Sequence, residues 1–584
     1  MQLKPSFLVL SFLLCLGRVC GVKEILLLIS CPQQAEINCR ALRESLLQQQ
    51  QQQLNEAIPT DYDYAIKVHI LQELFNYWTL LDALPYLQGK TRLLNANTDW
   101  IIWCQHNTHV SSLRGLLEQL HRQDAQELAY YGHALYDAEA TIVHHFANYK
   151  DPTWFPYPML SAGVVFTGAL LRSLVELVAV NAPNATRHSE FAIDAAHELA
   201  RFIFDNLAPA VPNADDNDDD GKSSSSSSSS KNIDIDIDIN ISKRDVDFVD
   251  MLQRKIILKS ADYICPWARV SPAWSLASSE TTAKKPAPAP EPLPCFLHAK
   301  PEVAAGNAAH CVHTTGAHIY FAIKTCAKFH KERIPIIERT WAPDAMRRKY
   351  YSDVADAGIP TISTGQANVP TGHCAKTLAI LQLSLKDINE QPHIRWLMLV
   401  DDDTLLSVPR LSALVSCYNH TAHIYLGERY GYRLYAPDGF NYHTGGAGIV
   451  LSVPLVRLIV EHCSCPAASA PDDMILGYCL QALGVPAVHA PGLHQARPQD
   501  YAPELLQLNA PISFHKYWHT SPEHTYTRWL GGTLANASSA RPAPRPGKDR
   551  LATPLQLNGR ALLQLANMGA GLDGGGTSKH HLDL

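Results

Sequence analysis

Three consecutive carboxylates, Asp401-Asp402-Asp403, follow the apolar run Trp396-Leu-Met-Leu-Val400. Side chains two apart on an extended chain share a face, so Asp401 and Asp403 can be aimed at one target. Left alone, such like charges beside a buried strand are unfavourable, and a hard divalent cation bound through oxygen removes the conflict. Carboxylates together with substrate phosphates are the usual setting for Mg2+ or Mn2+. The bland reading is a solvated acidic turn; its place at the end of an apolar strand, where open α/β sheets bind ligands, speaks against that. Thr444-Gly445-Gly446-Ala447-Gly448 is a turn at which backbone can approach a ligand closely, although most glycine clusters are only turns. Pro471-Asp472-Asp473-Met474 opens a helix, where an acid can be no more than an N-terminal cap. His494 and His515 are polar groups in apolar segments, where a lone histidine is more often structural than a ligand.

The elements that must position these residues read as alternating strands and helices. Residues 320–323 are predicted as a strand, followed by Lys324-Thr325 and a helical stretch to Trp341. A second strand is expected at 359–362, a helix at 375–385, and the strand carrying the acids at 396–400. That alternation implies a doubly wound, mostly parallel sheet. The chain also repeats itself. Phe155 to Glu176 aligns without a gap on Phe440 to Glu461, with nine of 22 positions identical, where chance supplies about one or two. Trp100-Ile-Ile-Trp-Cys104 lies opposite Trp396 to Val400 in the same order. The halves therefore read as two copies of one α/β domain. Opposite the three acids the first copy carries Gln105-His106-Asn107, and opposite Gly445-Gly446 it carries Leu160-Ser161. The first copy is expected to be non-catalytic.

Composition sets the remaining bounds. With 584 residues, 46% of them hydrophobic, two domains with full cores are expected. A net charge of −7 without a basic tract argues against nucleic acid as a partner. Residues 1–21 read as a secretory signal peptide, and no other run is long and apolar enough to span a bilayer. Cleavage there leaves 12 of the 14 cysteines, an even number suited to an oxidising lumen. Sequons at Asn184, Asn240, Asn419 and Asn536 fit the same compartment and a glycoprotein. The C-terminal His581-Leu582-Asp583-Leu584 partly matches an endoplasmic-reticulum retrieval signal, with Leu582 where an acid is usual. Residues 22–211 are assigned to the first domain and 212–242 to a low-complexity insert of acids, serines and Ile-Asp alternation. Residues 243–274 connect, 275–310 form a Pro/Ala-rich linker, 311–535 the second domain and 536–584 a tail.

Taken together, Asp-Asp-Asp-Thr, Tyr425-Leu-Gly-Glu-Arg429-Tyr-Gly431, Thr-Gly-Gly-Ala-Gly and Pro-Asp-Asp-Met resemble the Fringe-like β1,3-glycosyltransferases. Ala322 to Cys326, Arg333-Ile-Pro-Ile336, Gly372 to Thr377, His494 to Pro498 and Pro511 to Lys516 add to the resemblance, which covers nearly all of residues 23–530. It is strongest to the glucosyltransferase branch that extends O-linked fucose on thrombospondin type 1 repeats. The resemblance implies two tandem domains of the GT-A fold, the second catalytic and inverting. It implies Asp401, Asp403 and His494 as metal ligands, with His515 the substitute for His494, and Mn2+ in preference to Mg2+. Asp473 is the implied general base, with Asp472 its alternative. Lys324, Thr325, Lys376, Asp402, Gly445 and Gly446 are the implied donor-binding residues. UDP-glucose would be the donor, O-fucosylated thrombospondin repeats the acceptors, and the endoplasmic-reticulum lumen the compartment. Two other readings stand beside it: a Fringe-type N-acetylglucosaminyl- or galactosyltransferase, and a lectin-like folding factor without catalysis.

Overall fold

The computed structural model describes residues 23–531 except 33–34, 56–63, 72–79, 146–154, 179–189, 208–295, 301–310, 435–437 and 518. The expected signal peptide, low-complexity insert, most of the Pro/Ala-rich linker, the tail and the sequons at Asn184, Asn240 and Asn536 lie outside the described residues. The chain forms two compact units. The first comprises residues up to Cys311 together with Tyr430–Phe440 and Pro498–Asn509; the second comprises Val312–Arg429, Asn441–Arg497 and the chain from Ala510. The second unit is thus assembled from three separated stretches.

The first unit is built on a five-stranded sheet. From one edge to the other its strands are Tyr64–Ile70, Lys23–Ser30, Thr98–Gln105, Val164–Thr167 and Tyr130–Gly132. Lys23–Ser30 runs parallel to both neighbours, while Val164–Thr167 is antiparallel to both of its own. Alternate residues bury on opposite faces. Leu26, Leu28, Ile101, Trp103 and Phe166 join one core cluster, and Ile25, Leu27, Ile29, Trp100 and Ile102 join the other. Each such side chain contributes about 1.5–3 kcal/mol by leaving water. A sheet buried on both faces needs helices on both, which explains strands that read as continuous apolar runs.

The second unit has a seven-stranded sheet in the order Thr361–Ser363, Arg348–Ser352, Ile319–Lys324, Trp396–Asp401, Ile449–Ser452, Tyr425–Gly427 and Ala487–His489. Four of its six pairings are parallel and the two made by Ile449–Ser452 are antiparallel. Phe321, Met398 and Val450 face one core, and Ala322, Leu399 and Leu451 the other. The helix Cys374–Asn389 extends the expected one at both ends, and Asp472–Ala482 begins at the predicted carboxylates. The strand Arg348–Ser352 has no counterpart in the sequence reading, because its exposed end, Arg348-Lys349, breaks the apolar pattern.

Both sheets are therefore mixed, which corrects the expectation of a mostly parallel sheet for the first unit, where two of four pairings are antiparallel. The reason is visible in the second unit. The chain leaves Tyr425–Gly427 at the carboxyl end of the sheet and returns from that end without a crossover helix, so the next strand must run antiparallel. The five strands from Arg348–Ser352 to Tyr425–Gly427 have the same order and senses as the five of the first unit. Val164–Thr167 and Gly168–Val178 recur at the spacing of the sequence repeat as Ile449–Ser452 and Val453–His462. The paired glycines Gly163 and Gly448 have φ of +87° and +90°, a region that side-chain-bearing residues rarely enter.

Candidate active site

Trp396–Asp401 ends at the first acid, Asp402 and Asp403 form a tight turn, and Thr404–Leu406 begins directly after it. It is this turn, rather than strand alternation, that brings Asp401 and Asp403 together. Thr404–Leu406 pairs antiparallel with Ser513–His515, and the register sets Thr404 opposite His515. His515 Nε2 then lies 3.0 Å from Asp403 Oδ1 and 4.0 Å from Asp401 Oδ2. Its Nδ1 lies 3.0 Å from the Gln495 carbonyl oxygen. A carbonyl only accepts, so Nδ1 carries a proton, and Nε2 is the nitrogen aimed at the acids, where it would offer its lone pair to a bound cation. One ligand atom from each of Asp401, Asp403 and His515 falls within 4.8 Å of the others. Two carboxylates and one oriented imidazole are a fitting donor set for Mn2+ or Mg2+.

His494 is not in this group. Its ring stacks on Phe514 at 5.1 Å, its backbone N–H donates to Ser513 Oγ, and burial pushes its pKa down to about 3. The structure therefore brings His515, not His494, to the acids. Sequence separation could not rank the two, because the pairing of Ser513–His515 with Thr404–Leu406 decides it.

The glycine turn packs against the same group. A Cβ on Gly446 would stand 2.4 Å from His515 Nδ1, so this glycine leaves room for the imidazole. A Cβ on Gly445 would meet only Asp401 Oδ2, at 3.9 Å. Thr404 Oγ1 donates to the Gly446 carbonyl at 2.8 Å and holds the turn to the strand.

Two cations divide the carboxylates between them. Lys324 Nζ lies 3.0 Å from Asp401 Oδ1 and 2.8 Å from Asp472 Oδ2. Burial works against the ammonium, but the two acids outweigh it and hold Lys324 above its ordinary range. Thr377 Oγ1 also donates to Asp472 Oδ2, at 2.5 Å. Burial opposes ionisation of Asp472, and Lys324 and Thr377 overcome it, so its pKa is lowered. Arg333 NH1 reaches Asp402 Oδ1 at 2.7 Å and Asp403 Oδ2 at 3.1 Å, with its guanidinium 3.7 Å from the Phe329 ring centroid. Thr325 Oγ1 donates to Asp402 Oδ2 at 2.6 Å. Burial and the Asp403 charge push Asp402 up; in Asp403 burial acts the same way, but His515 and Arg333 bring it down.

Asp473 is the exception among the five acids. Among the described residues no side chain pairs with it; its Oδ1 accepts its neighbour's amide, Met474 N–H, at 2.7 Å, and the Gly445 backbone N–H also reaches it. Burial and the Asp472 charge push its pKa up to about 7. A carboxyl poised there, without a permanent counter-ion, can take up a proton near neutral pH. Lys376 is buried with Nζ 3.4 Å from Asn368 Oδ1, and it feels the charges of Asp353 and Asp402 without an ion pair to the Asp401–Asp403 turn. Arg333 and Thr377 complete the site, and sequence reasoning gave neither a role; only the conjunction of Arg333 with the following Ile-Pro-Ile marked its position.

The first unit has the same strand–turn–strand form at the corresponding place. Thr98–Gln105 ends, His106-Asn107 turn, and Thr108–Val110 pairs with Leu297–Ala299, placing Thr108 opposite Ala299. Thr108 Oγ1 donates to the Ser161 carbonyl at 2.9 Å, as Thr404 does to Gly446. Where the second unit has Asp401, Asp403 and His515, the first has Gln105, Asn107 and Ala299.

The Fringe-like family model matches residues 314–528. A β1,3-glucosyltransferase of Mus musculus is 35% identical over 472 residues, covering 80% of this chain and 79% of that protein. Its Homo sapiens counterpart is 34% identical over 84% of this chain and 81% of its own length. The lunatic fringe β1,3-N-acetylglucosaminyltransferase of Danio rerio is 29% identical over 29% of this chain and 51% of its own.

Proposed function

We propose, for a chain that belongs to the Fringe-like β1,3-glycosyltransferase family, that it transfers glucose from UDP-glucose to the 3-hydroxyl of O-linked fucose on thrombospondin type 1 repeats, with inversion. The observation that carries this reading is the junction at Lys324. One ammonium ties the Asp401–Asp403–His515 group to the helix bearing Asp472 and Asp473, and so sets a cation site beside a carboxyl poised near neutrality.

Asp401, Asp403 and His515 would hold Mn2+ or Mg2+, which when bound supplies positive charge for a leaving diphosphate. Asp473 takes the proton of the acceptor hydroxyl as that oxygen bonds to the anomeric carbon and the bond from that carbon to the diphosphate oxygen breaks. One displacement inverts the centre, and no side-chain nucleophile is needed. Lys324 and Thr377 keep Asp472 ionised and paired, which leaves proton uptake to Asp473. Arg333 and Thr325 hold Asp402 inward as a brace for its neighbours rather than as a ligand. Lys376, held at Asn368 Oδ1, and the uncrowded space beside Gly445 are assigned to the donor.

Glucose is favoured because the relatives that match over about four-fifths of the chain are named β1,3-glucosyltransferases. The fringe match, confined to less than a third of it, favours N-acetylglucosamine as the second reading. The second unit is assigned the GT-A fold and the catalysis, because the corresponding turn of the first offers a cation no carboxylate. Secretion is supported by the disulfides Cys31–Cys39, Cys374–Cys465 and Cys463–Cys479. Among the described residues no helix is long and apolar enough to cross a membrane. We assign the chain to the endoplasmic-reticulum lumen. The test is purified chain with UDP-glucose, UDP-N-acetylglucosamine and UDP-galactose against fucosylated thrombospondin and epidermal-growth-factor-like repeats, with Mn2+ or chelator. Metal-dependent transfer of glucose alone to the thrombospondin repeat is expected. Preference for another donor would replace the substrate assignment, and full activity in chelator would remove the cation from the reading.

A further inference from the structure

The first unit holds a second cluster that the reaction above does not use. Asp137 follows the short strand Ala134–Leu135, His144 ends the helical turn Ile142–His144, and His197 lies in the first turn of the helix Ala195–Leu207. They are only 9%, 3% and 2% exposed. His144 Nδ1 lies 2.7 Å from Asp137 Oδ2, and its Nε2 lies 3.9 Å from Asp194 Oδ2. The Tyr157 hydroxyl donates to Asp137 Oδ1 at 3.1 Å, and the His197 backbone N–H donates to Asp194 Oδ1 at 2.6 Å. The His197 ring is stacked on His144 at 4.0 Å and set edge-on to Phe155 and Tyr157. One ligand atom from each of Asp137, His144 and His197 falls within 4.8 Å of the others.

We propose that Asp137, His144 and His197, with Asp194 beside them, form a binding site for a divalent transition-metal cation, zinc above all. Two imidazoles among so few ligands select a borderline-soft ion over Mg2+ or Ca2+. Two carboxylates in so enclosed a place require a compensating cation, and with both imidazoles neutral a divalent ion balances them. The ion would tie the segment around residues 134–144 to the helix Ala195–Leu207, closing a loop of the chain, so its role is structural. Ligand atoms on tetrahedral zinc, with bonds of about 2.0–2.1 Å, stand about 3.3 Å apart. Metal entry therefore opens the Asp137–His144 contact by about half an ångström and tilts the imidazoles out of their 8° near-parallel stack. The competing occupant is a proton on His144 shared with the two acids.

The test uses the full chain carrying Asp403→Asn, which removes a ligand of the other cluster, stripped with chelator and titrated with Zn2+ or Co2+ alone. One equivalent per chain and a visible Co2+ d–d absorption are expected. Adding His197→Ala should weaken that binding by at least about a hundredfold. Absence of binding to the folded Asp403→Asn chain, or equal binding after His197→Ala, overturns the proposal. If His197→Ala does not fold, zinc-edge X-ray absorption on the Asp403→Asn chain decides: imidazole and oxygen ligands support the site, whereas sulfur ligands or the absence of imidazole overturn it.

Discussion

Asp473 differs from its neighbour Asp472 by one position and by its whole electrostatic setting. Burial and the Asp472 charge raise it from 3.8 to about 7, while Lys324 keeps Asp472 low. As a base it must be deprotonated, so the transfer rate should climb as pH rises toward and through about 7 and level off above. Asp473→Asn should retain donor binding and lose about 10²–10⁴-fold in turnover. Normal turnover in Asp473→Asn with loss in Asp472→Asn would exchange the two roles. Stability carries its own signature. A carboxyl whose pKa is raised in the fold binds its proton more tightly there than in the unfolded chain, so wild-type stability falls as pH rises from 3.8 toward about 7. Asn has no such proton. The melting temperature of Asp473→Asn relative to wild type should therefore increase by at least about 2 °C between acid and mildly alkaline pH. A constant difference would show that the carboxyl is not perturbed. Arg333 joins two acids that would otherwise repel. Arg333→Met leaves Asp402 buried with Thr325 as its remaining side-chain partner, and activity should fall about 10–100-fold, with more Mn2+ needed for half-activation.

At the scale of elements, the site is a meeting of three strand ends and a helix start. Ile319–Lys324 delivers Lys324, Trp396–Asp401 delivers the acids, Ser513–His515 delivers the imidazole and Asp472–Ala482 delivers Asp473. The turn at 445–447 fits among them only because it lacks side chains at the contacts. Gly446→Ala puts a methyl group 2.4 Å from the His515 ring and should raise the Mn2+ concentration for half-activation by about 10–100-fold. Gly445→Ala, with only Asp401 Oδ2 at 3.9 Å, should have a much smaller effect. Equal metal dependence in the two variants would contradict the seating of His515 described above.

At the scale of the molecule, two units share a strand order and repeat but differ in charge where chemistry would sit. The full chain with both Asp403→Asn and Asp473→Asn should have no metal-dependent transfer above about 0.1% of wild type. Appreciable residual activity would assign transfer to the first unit as well. A duplicated domain released from catalysis can still serve a folded acceptor, which needs more surface than one sugar pocket supplies. Arg40, Arg43 and His69 line an open cleft of the first unit. Arg43→Glu there should raise KM several-fold for a folded fucosylated repeat and leave transfer to a free fucoside unchanged. Equal loss on both acceptors would point to a stabilising role alone.

Legible in the sequence by itself were the repeat between the two halves, the strand that carries the acids and the helix that begins at Asp472-Asp473. Apolar runs and a 22-residue ungapped match are local properties, written in residue order. The sequence also marked Asp401, Asp403 and Asp473, because consecutive carboxylates after an apolar strand and at a helix start are conspicuous without any partner. Other features depended on pairing across distance, and these only the tertiary structure decided. His515 rather than His494 reaches the acids because Ser513–His515 aligns on Thr404–Leu406, a register about 110 residues apart in the chain. Arg333 and Thr377 acquire their roles from the acids they touch, not from their own neighbours in sequence. The antiparallel strands Val164–Thr167 and Ile449–Ser452 look, as apolar runs, no different from parallel ones. Direction is fixed by the end of the sheet from which the chain re-enters, a property of the fold that no window of residues contains.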